Sequence, residues 1–566
     1  MKILRIVVAL LVVSMVLPLF AFATAGSGEA MPVSIMIGQN DKAKLEANKL
    51  VQLTVEKKFN VKLSFSEAPW YNEPDKFKLL VAAGALPDCG WTCLTVKAPD
   101  LYNQGVIRSV PIATVAKYAP TYTKRMADRP LMLAWQQLDA KNYYALYQVG
   151  AVRAGGTFAT ALRLDWMENL GIKPKGNISL LVPAGTVMND GDKPEDKSAN
   201  ARLFVTDTQY TYDELVALFD AFANKDPDKN GKKDTYGLSE AILEWMDGYW
   251  SFHIFDVPGM NFRWVKEADN SAAPQQYSVV YRTFLEQHKA LADRGLLNPD
   301  YVTCQYDECW GYWTNGKAGA LGVVEGYIAA ASIPPLSILY NNKDAKVLLI
   351  PPTKNRRGMA SDFMGGSDIG EFFFNKKLTD AKFYKTLQMF DWIWASDEGN
   401  TFCNWGVKDV NYKVEANGTK TFLKEANDKL PPEQKVAQGI WLGGQMNFTQ
   451  PTYDLKTRMG LLYQWDTKYC PKSEGYYVFF GLGSADLNAM PFMAAANQET
   501  KDKAYRQYVQ DLCGGVTDSK TSYEKMMSVL NGLGYQDYLK AVQTKMYIVE
   551  ELEKGKQVTP SQVIKK

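Results

Sequence analysis

The chain has 566 residues, 46% hydrophobic and 22% charged, with a formal net charge of +2. That length exceeds one ordinary core, so two or more are expected, and the composition is globular, not disordered. There is no basic excess to neutralise a phosphate backbone, which argues against nucleic acid as a partner.

The N-terminus reads as an export signal. Lys2 and Arg5 form a charged start, residues 6–22 are almost wholly apolar, and Ala23-Thr24-Ala25 supplies a small-residue cleavage pattern. The alternative is an uncleaved anchor, against which Pro18 and the cleavage pattern count. Residues 1–25 are therefore assigned as signal peptide, and the mature chain is expected outside the cytoplasm, periplasmic or extracellular. No cysteine follows the apolar run closely enough to carry a lipid, and no later stretch is apolar enough to span a bilayer.

The mature chain opens β-α-β. Residues 32–38 read as a strand with Val33, Ile35 and Ile37 on one face, 41–59 as a helix, 61–65 as a strand and 74–83 as a helix stopped by Gly84. Repeated βα units imply a parallel sheet, with ligands at the carboxyl ends of its strands. The polar stretch 192–200 reads as an exposed loop. Residues 211–224 read as a helix with a capping box (Thr211 with Glu214) and an apolar face of Leu215, Leu218, Phe219 and Phe222.

Directly behind that helix comes Asp-Pro-Asp-Lys-Asn-Gly-Lys-Lys-Asp-Thr-Tyr-Gly, residues 226–237. Asp226, Asp228, Asn230 and Asp234 fall at loop positions 1, 3, 5 and 9, Gly231 at position 6, and the carbonyl of Lys232 at position 7. Calcium takes six to eight oxygens on a tightly turned backbone, and this spacing delivers most of them. Gly237 stands where an EF-hand has glutamate, which leaves the site weak or completed by water. An Asx-rich turn that merely follows the helix is the plainer alternative.

Further helices are expected over 281–294, 380–395 and most of 501–553, with strands at 347–350 and 371–375. Seven cysteines are present; the pairs Cys89/Cys93 and Cys304/Cys309 read as buried thiols or disulfides more readily than zinc ligands, because only two histidines occur.

Several segments together resemble the extracellular solute-binding proteins of bacterial ABC transporters, family 1, with its large alginate-oligosaccharide-binding and lipoprotein-like members. They are Gly84-Ala85-Leu86-Pro87-Asp88 with Gly105-Val106-Ile107, then Asp139 to Leu146 (Ala140 departing from a glycine), then Arg163 to Gly171. Tyr212 to Gly237 is the most specific match, followed by Thr314 to Gly319 and by Trp405-Gly406-Val407 with Tyr412, where Lys408-Asp409 replaces the usual Glu-Gly. The resemblance implies an α/β, two-lobe periplasmic-binding-protein fold of type II with a hinge. Lobe 1 would comprise 31–147 with 371–400, and lobe 2 148–370 with 401–566. It also implies a structural Ca2+ on Asp226, Asp228, Asn230, Lys232 and Asp234, with Thr235 where some relatives add an acid. Arg163 and Asp165 would fix the crossing between lobes.

The implied function is capture of a carbohydrate, an oligosaccharide above all, with a peptide or other small solute as the alternative, by lobe closure and delivery to a membrane permease, as a monomer and without catalysis. Fourteen tryptophans and 31 tyrosines suit that ligand, because sugar C–H faces stack on aromatic rings. By position, the candidate contacts are Trp91, Trp264, Trp70, Tyr71, Trp245, Trp250, Glu325, Tyr327, Trp405 and Tyr412. A secreted carbohydrate-active enzyme is the rival; any acidic pair could be its catalytic carboxylates, but no nucleophile elbow, His-Glu-x-x-His or phosphate loop is present. A sensor that feeds a membrane receptor is a third reading.

Overall fold

Val33, Ile35 and Ile37 pack into one core and Met36, between them, into another. A strand apolar on both faces belongs inside a sheet covered by helices. The structure, a computed structural model, describes residues 29–38, 41–68, 73–92, 98–127, 133, 136–147, 158–243, 264–267, 272–324, 335–351, 353, 371–416, 418–437, 454, 456–469 and 489–543. Within them, two mixed sheets are built from β1 (Met31–Gly38), β2 (Val61–Ala68), β3 (Cys89–Trp91), β4 (Leu146–Tyr147), β5 (Phe158–Arg163), β6 (Ile178–Leu180), β7 (Leu203–Thr206), β8 (Tyr236–Ser239), β9 (Ala318–Val324), β10 (Val347–Ile350) and β11 (Glu371–Phe374).

Lobe 1 holds a five-stranded sheet in the order β2-β1-β3-β11-β4, and lobe 2 a six-stranded sheet in the order β8-β9-β5-β10-β7-β6. In lobe 1, β1 to β4 run one way and β11 opposes them. In lobe 2, β7 to β10 run one way, with β5 and β6 opposed. Each sheet separates two cores. Phe372 and Phe374 of β11 enter one and Phe373 the other; Leu348 and Ile350 of β10 enter one and Val347 and Leu349 the other.

Within the described residues the expected helices form, with informative departures; 544–553 of the stretch expected as helix lie outside the described residues. Residues 41–59 make two helices, Asp41–Ala47 and Leu50–Phe59, because Lys49 N turns away to donate to Pro432 O at 2.7 Å. Thr211 caps Tyr212–Asn224 through the full capping box. Ser278 caps Val279–Asp293, and Gly295 follows it at φ 70°. Asp380–Phe390 continues into a π-helical turn, Asp391–Ala395. Residues 192–200, expected as a loop, contain the helix Pro194–Asn200, whose Ala199 and Asn200 are buried; Pro194 starts it and Glu195 and Asp196 favour its first turn. Among the described residues no helix is long and apolar enough to cross a membrane.

The division of lobes differs from the expected one after residue 400. Cys403, Trp405, Tyr412, Phe422 and Val436 belong to the lobe 1 core with Val33 and Trp91. Residues 401–437 therefore build lobe 1, and the chain returns to lobe 2 by 462, where Leu462 and Trp465 are buried. The small hairpin Tyr412–Val414/Lys420–Phe422 carries no strong strand signal, and tertiary burial of its aromatics decides its place.

Candidate solute cleft and cation loop

Strand directions mark one edge of each sheet as the candidate solute-binding edge. The chain leaves lobe 1 at the carboxyl end of β4 and enters lobe 2 at β5, whose Phe158 pairs with Val324, the last residue of β9. It leaves lobe 2 at the carboxyl end of β10 and re-enters lobe 1 at Glu371, which pairs with Tyr147, the last residue of β4. Both crossings thus join the carboxyl edge of one parallel set to the carboxyl edge of the other. That edge is where open α/β sheets bind ligands.

The lobe 1 side of this edge is tied down by a carboxylate that sequence reading missed. Glu371 is buried; Tyr147 Oη donates to its Oε1 at 2.5 Å and Ala98 N to its Oε2. Its backbone N donates to Thr92 Oγ1 at 3.1 Å and its O accepts from Thr92 N at 2.9 Å. Two crossings and the end of β3 meet there. A lone acid heading the apolar run Glu371-Phe372-Phe373-Phe374 was the available signal.

The aromatic candidates separate. Trp91 is fully buried, with ring centroids 5.1 Å from Phe372 and 5.6 Å from Trp394, so it supports the lobe 1 core and has no face open to a solute. Trp405 and Tyr412, 5.8 Å apart, are likewise buried in that core. Trp264 lies in a two-stranded ribbon, Trp264–Lys266 against Ala272–Pro274, outside both main sheets. Trp70, Tyr71, Trp245, Trp250, Glu325 and Tyr327 lie outside the described residues.

Two matched motifs prove architectural. Asp88 Oδ2 accepts from Ser34 N (2.8 Å), Ser34 Oγ (3.0 Å) and Lys382 Nζ (2.7 Å), locking β1 to the lobe 1 helix 380–390. Arg163 forks onto Asp165 at 2.9 and 2.6 Å and stacks over Trp166. This pair stands at the carboxyl end of β5, opposite Val347 at the start of β10, so it lies at the far edge from the crossings it was expected to fix.

The oxygen-rich loop lies at that far edge too, because it leads into the amino end of β8, where Tyr236 pairs with Ala318. Asp226, Lys229 and Gly231 take positive φ, giving the tight turn. Asp226 accepts from the backbone N of Asn230 (3.0 Å) and Gly231 (3.1 Å). Asn230 Nδ2 reaches Asp228 Oδ2 at 2.8 Å and Asp234 Oδ1 at 3.0 Å, so positions 3, 5 and 9 converge. Lys317 Nζ pairs with Asp234 Oδ2 at 2.5 Å. Asp228 Oδ1 is buried without a hydrogen-bond partner. Burial, then the neighbouring Asp226 and Asp234, push the Asp228 carboxyl above the ordinary carboxylate range. Lys317, then Asn230, hold Asp234 below it. Among the described residues no group of three acid, histidine or cysteine side chains is gathered as a metal cluster. The all-oxygen donor set and the orphaned Asp228 oxygen nonetheless fit a hard cation.

The remaining motif residues with chemistry are buried thiols: Cys89, Cys304, Cys309 and Cys403 are free and Cys513 is buried, while Cys93 and Cys470 lie outside the described residues. Burial pushes the Cys304 thiol up to about 12, which suits packing and not reactivity.

No family model matches the chain. It is 24% identical over 379 residues to the polygalacturonan/rhamnogalacturonan-binding protein YtcQ of Bacillus subtilis (strain 168), covering 66% of this chain and 64% of that one. It is 23% identical over 446 residues to lipoprotein LipO of the same organism, covering 74% and 76%. The match thus spans somewhat less than two thirds of YtcQ. Among solved structures, an HMO-binding ABC-transporter-associated solute-binding protein of Bifidobacterium longum infantis superposes with a TM-score of 0.58 at 13% identity, covering 91% of this chain and 98% of that one. FusA, an ABC-transporter substrate-binding protein of S. pneumoniae in complex with kestose, gives 0.56 at 15%, covering 90% and 97%. Alginate-binding protein AlgQ2 without calcium ion gives 0.54 at 17%, covering 91% and 97%. The chain has the two-lobed fold of the solute-binding proteins of ABC transporters.

Proposed function

We propose that this protein captures a carbohydrate, an oligosaccharide above all, between its lobes and delivers it intact to the permease of an ABC importer, as an exported monomer. The observation that carries the reading is the crossing topology: both sheets turn their ligand-binding edges toward the same connections. Support comes from the names of its relatives, which bind polygalacturonan, kestose and alginate. Trp70 and Tyr71 follow the carboxyl end of β2 in sequence, Trp245 and Trp250 that of β8, and Glu325 and Tyr327 that of β9. We assign these six to solute contact, with Trp264 beside them. Trp91, Trp405 and Tyr412 are withdrawn from it.

Closure must be driven by the solute binding the closed form better. Moving a population from about 1% to 99% closed takes roughly 5.5 kcal/mol of differential affinity. Aromatic stacks at about 0.5–1.5 kcal/mol each, with charged hydrogen bonds at about 1.5–3, reach that with a handful of contacts.

For the loop we propose a structural Ca2+ held by Asp226, Asp228, Asn230, Asp234 and the Lys232 carbonyl. Bound there, the ion would neutralise crowded carboxylates and stiffen the junction between the capped helix and β8; it would take no part in solute contact. FusA has also been solved as an EF-hand mutant, a description consistent with this reading.

The test is calorimetric titration with galacturonan, rhamnogalacturonan and fructan oligosaccharides, followed by chromatography of the sugar. Stoichiometric binding with unaltered sugar is expected. Shortened products would establish the enzyme reading instead, and silence across a broad oligosaccharide panel would remove the carbohydrate.

A further inference from the structure

Asp454, a described residue between the lobe 1 segment that ends at 437 and the lobe 2 helix Arg458–Tyr469, is a buried side chain hydrogen-bonded to both lobes. Asp454 is 5% exposed. Its Oδ2 accepts from Phe422 N, in the lobe 1 hairpin, at 3.0 Å and from Asn189 Nδ2, in lobe 2, at 2.6 Å. The same Asn189 Nδ2 donates to Phe422 O at 3.2 Å. One carboxylate and one amide therefore grip both backbone polar groups of a single lobe 1 residue.

Each side of this grip is rigid. Phe422 is buried in the lobe 1 core and its strand is paired in register with Tyr412–Val414. On the lobe 2 side, Asp454 Oδ1 accepts from Lys456 N at 2.8 Å, and Asn189 N donates to Lys456 O at 2.6 Å. Two residues on, Arg458 is buried and fastened to Asn200 Oδ1 (2.8 Å), Asp196 Oδ1 (3.0 Å) and Tyr340 Oη (2.9 Å), while its backbone N reaches Asp190 Oδ2 at 3.1 Å. Where stiff bodies are joined at a few positions, closure is a rotation that those positions absorb. Hydrogen bonds to a charged group are stronger than neutral ones, which favours a contact that persists as the lobes rotate.

We infer that Asp454, with Asn189, is the swivel of the clamshell: it keeps Phe422 seated on lobe 2 through opening and closing, and so limits how far the solute-free lobes separate. It is a positioning residue with no solute contact. The inference rests on the two-lobe binding reading, but its test needs no sugar.

The experiment compares full-length wild type with Asp454→Ala and Asn189→Ala, without solute. Amide hydrogen exchange at Phe422 reads the grip, and Leu423 N, which donates within lobe 1 to Asn411 O at 2.8 Å, is the internal control. Small-angle scattering reads the separation of the lobes. Expected are at least a tenfold loss of protection at Phe422 with Leu423 unchanged, and a larger maximum dimension in both variants. If Asp454→Ala does not fold, Asn189→Ala carries the same expectation. Unchanged scattering, whether or not the melting temperature falls, would reduce the contact to local structure and overturn the swivel. Failure of wild type to bind any oligosaccharide would count against the binding reading alone.

Discussion

The indole of Trp91 meets that of Trp394 edge to face, with centroids 5.6 Å apart and planes at 84°. Trp91 comes from the centre of the lobe 1 sheet and Trp394 from the π-helical turn that covers it, with Phe372 and Phe390 completing the cluster. Trp91→Ala should therefore cost about 3–5 kcal/mol of stability, as large-to-small changes in packed aromatic cores do. Trp91→Phe should cost less. Urea unfolding of the variants measures this; a Trp91→Ala protein as stable as wild type, but blind to sugar, would return the ring to the cleft.

Arg458 supplies the corresponding test in lobe 2. Its guanidinium is 2% exposed and is shared by Asn200, Asp196 and Tyr340, and a Cβ on Gly191 would meet its Nη2 at 2.8 Å. Arg458→Met fills the space but leaves Asp196 and Asn200 without their donor. Breaking a buried pair from one side costs about 3–5 kcal/mol, because the remaining group stays desolvated. Thermal unfolding should show the loss, and adding Asp196→Asn should recover part of it. Purely additive losses would mean the two residues do not interact.

The loop makes a separate, reversible prediction. An ion that binds only the folded chain stabilises it by mass action, about 2.7 kcal/mol at a free concentration a hundred times Kd. The melting temperature should rise with added calcium and fall on chelation. Asp228→Ala should abolish that response while leaving the Trp91 cluster, at the other lobe, intact. A wild-type melting temperature indifferent to chelator and calcium would leave residues 226–237 as an Asx turn.

How far the sequence carried these readings depends on the range of the interactions. Thr211 with Glu214, Gly231 and the alternation of β1 are local signals, set by hydrogen bonds and sterics within a few residues, and they hold in the structure. Trp91, Trp405 and Tyr412 look alike in sequence whether they face a sugar or a core; partners such as Phe372 and Trp394, hundreds of residues away, decide. The helix Pro194–Asn200 was hidden for the same reason, since its polar face meets Arg458 and Tyr340, which reads as solvent from composition alone. Glu371 and Asp454 were invisible because their value lies in joining backbone groups from distant segments.

Lys317 gives the proposed calcium loop a resident competitor. Its ammonium lies 2.5 Å from Asp234 Oδ2, and Tyr236 N donates to its carbonyl at 2.8 Å, so β9 delivers a fixed positive charge to the loop's ninth position. Calcium arriving at Asp234 must share that carboxylate or displace the lysine. Lys317→Met should therefore tighten calcium binding several-fold, whereas Lys317→Arg should stay near wild type, by calorimetric titration. The pH dependence follows from two opposed shifts. Asp234, held low by Lys317, gives stability that is present above the ordinary carboxylate value of about 4 and lost only as pH falls through its lower folded value. Without that lysine the loss should begin at higher pH. Asp228, pushed up by burial and its acidic neighbours, keeps its proton to higher pH than usual, and calcium must release it. Calcium affinity should thus climb as pH rises through and just above the carboxylate range and level off near neutrality. An affinity flat with pH and indifferent to Lys317→Met would mean the ion, if bound, does not use Asp228 and Asp234.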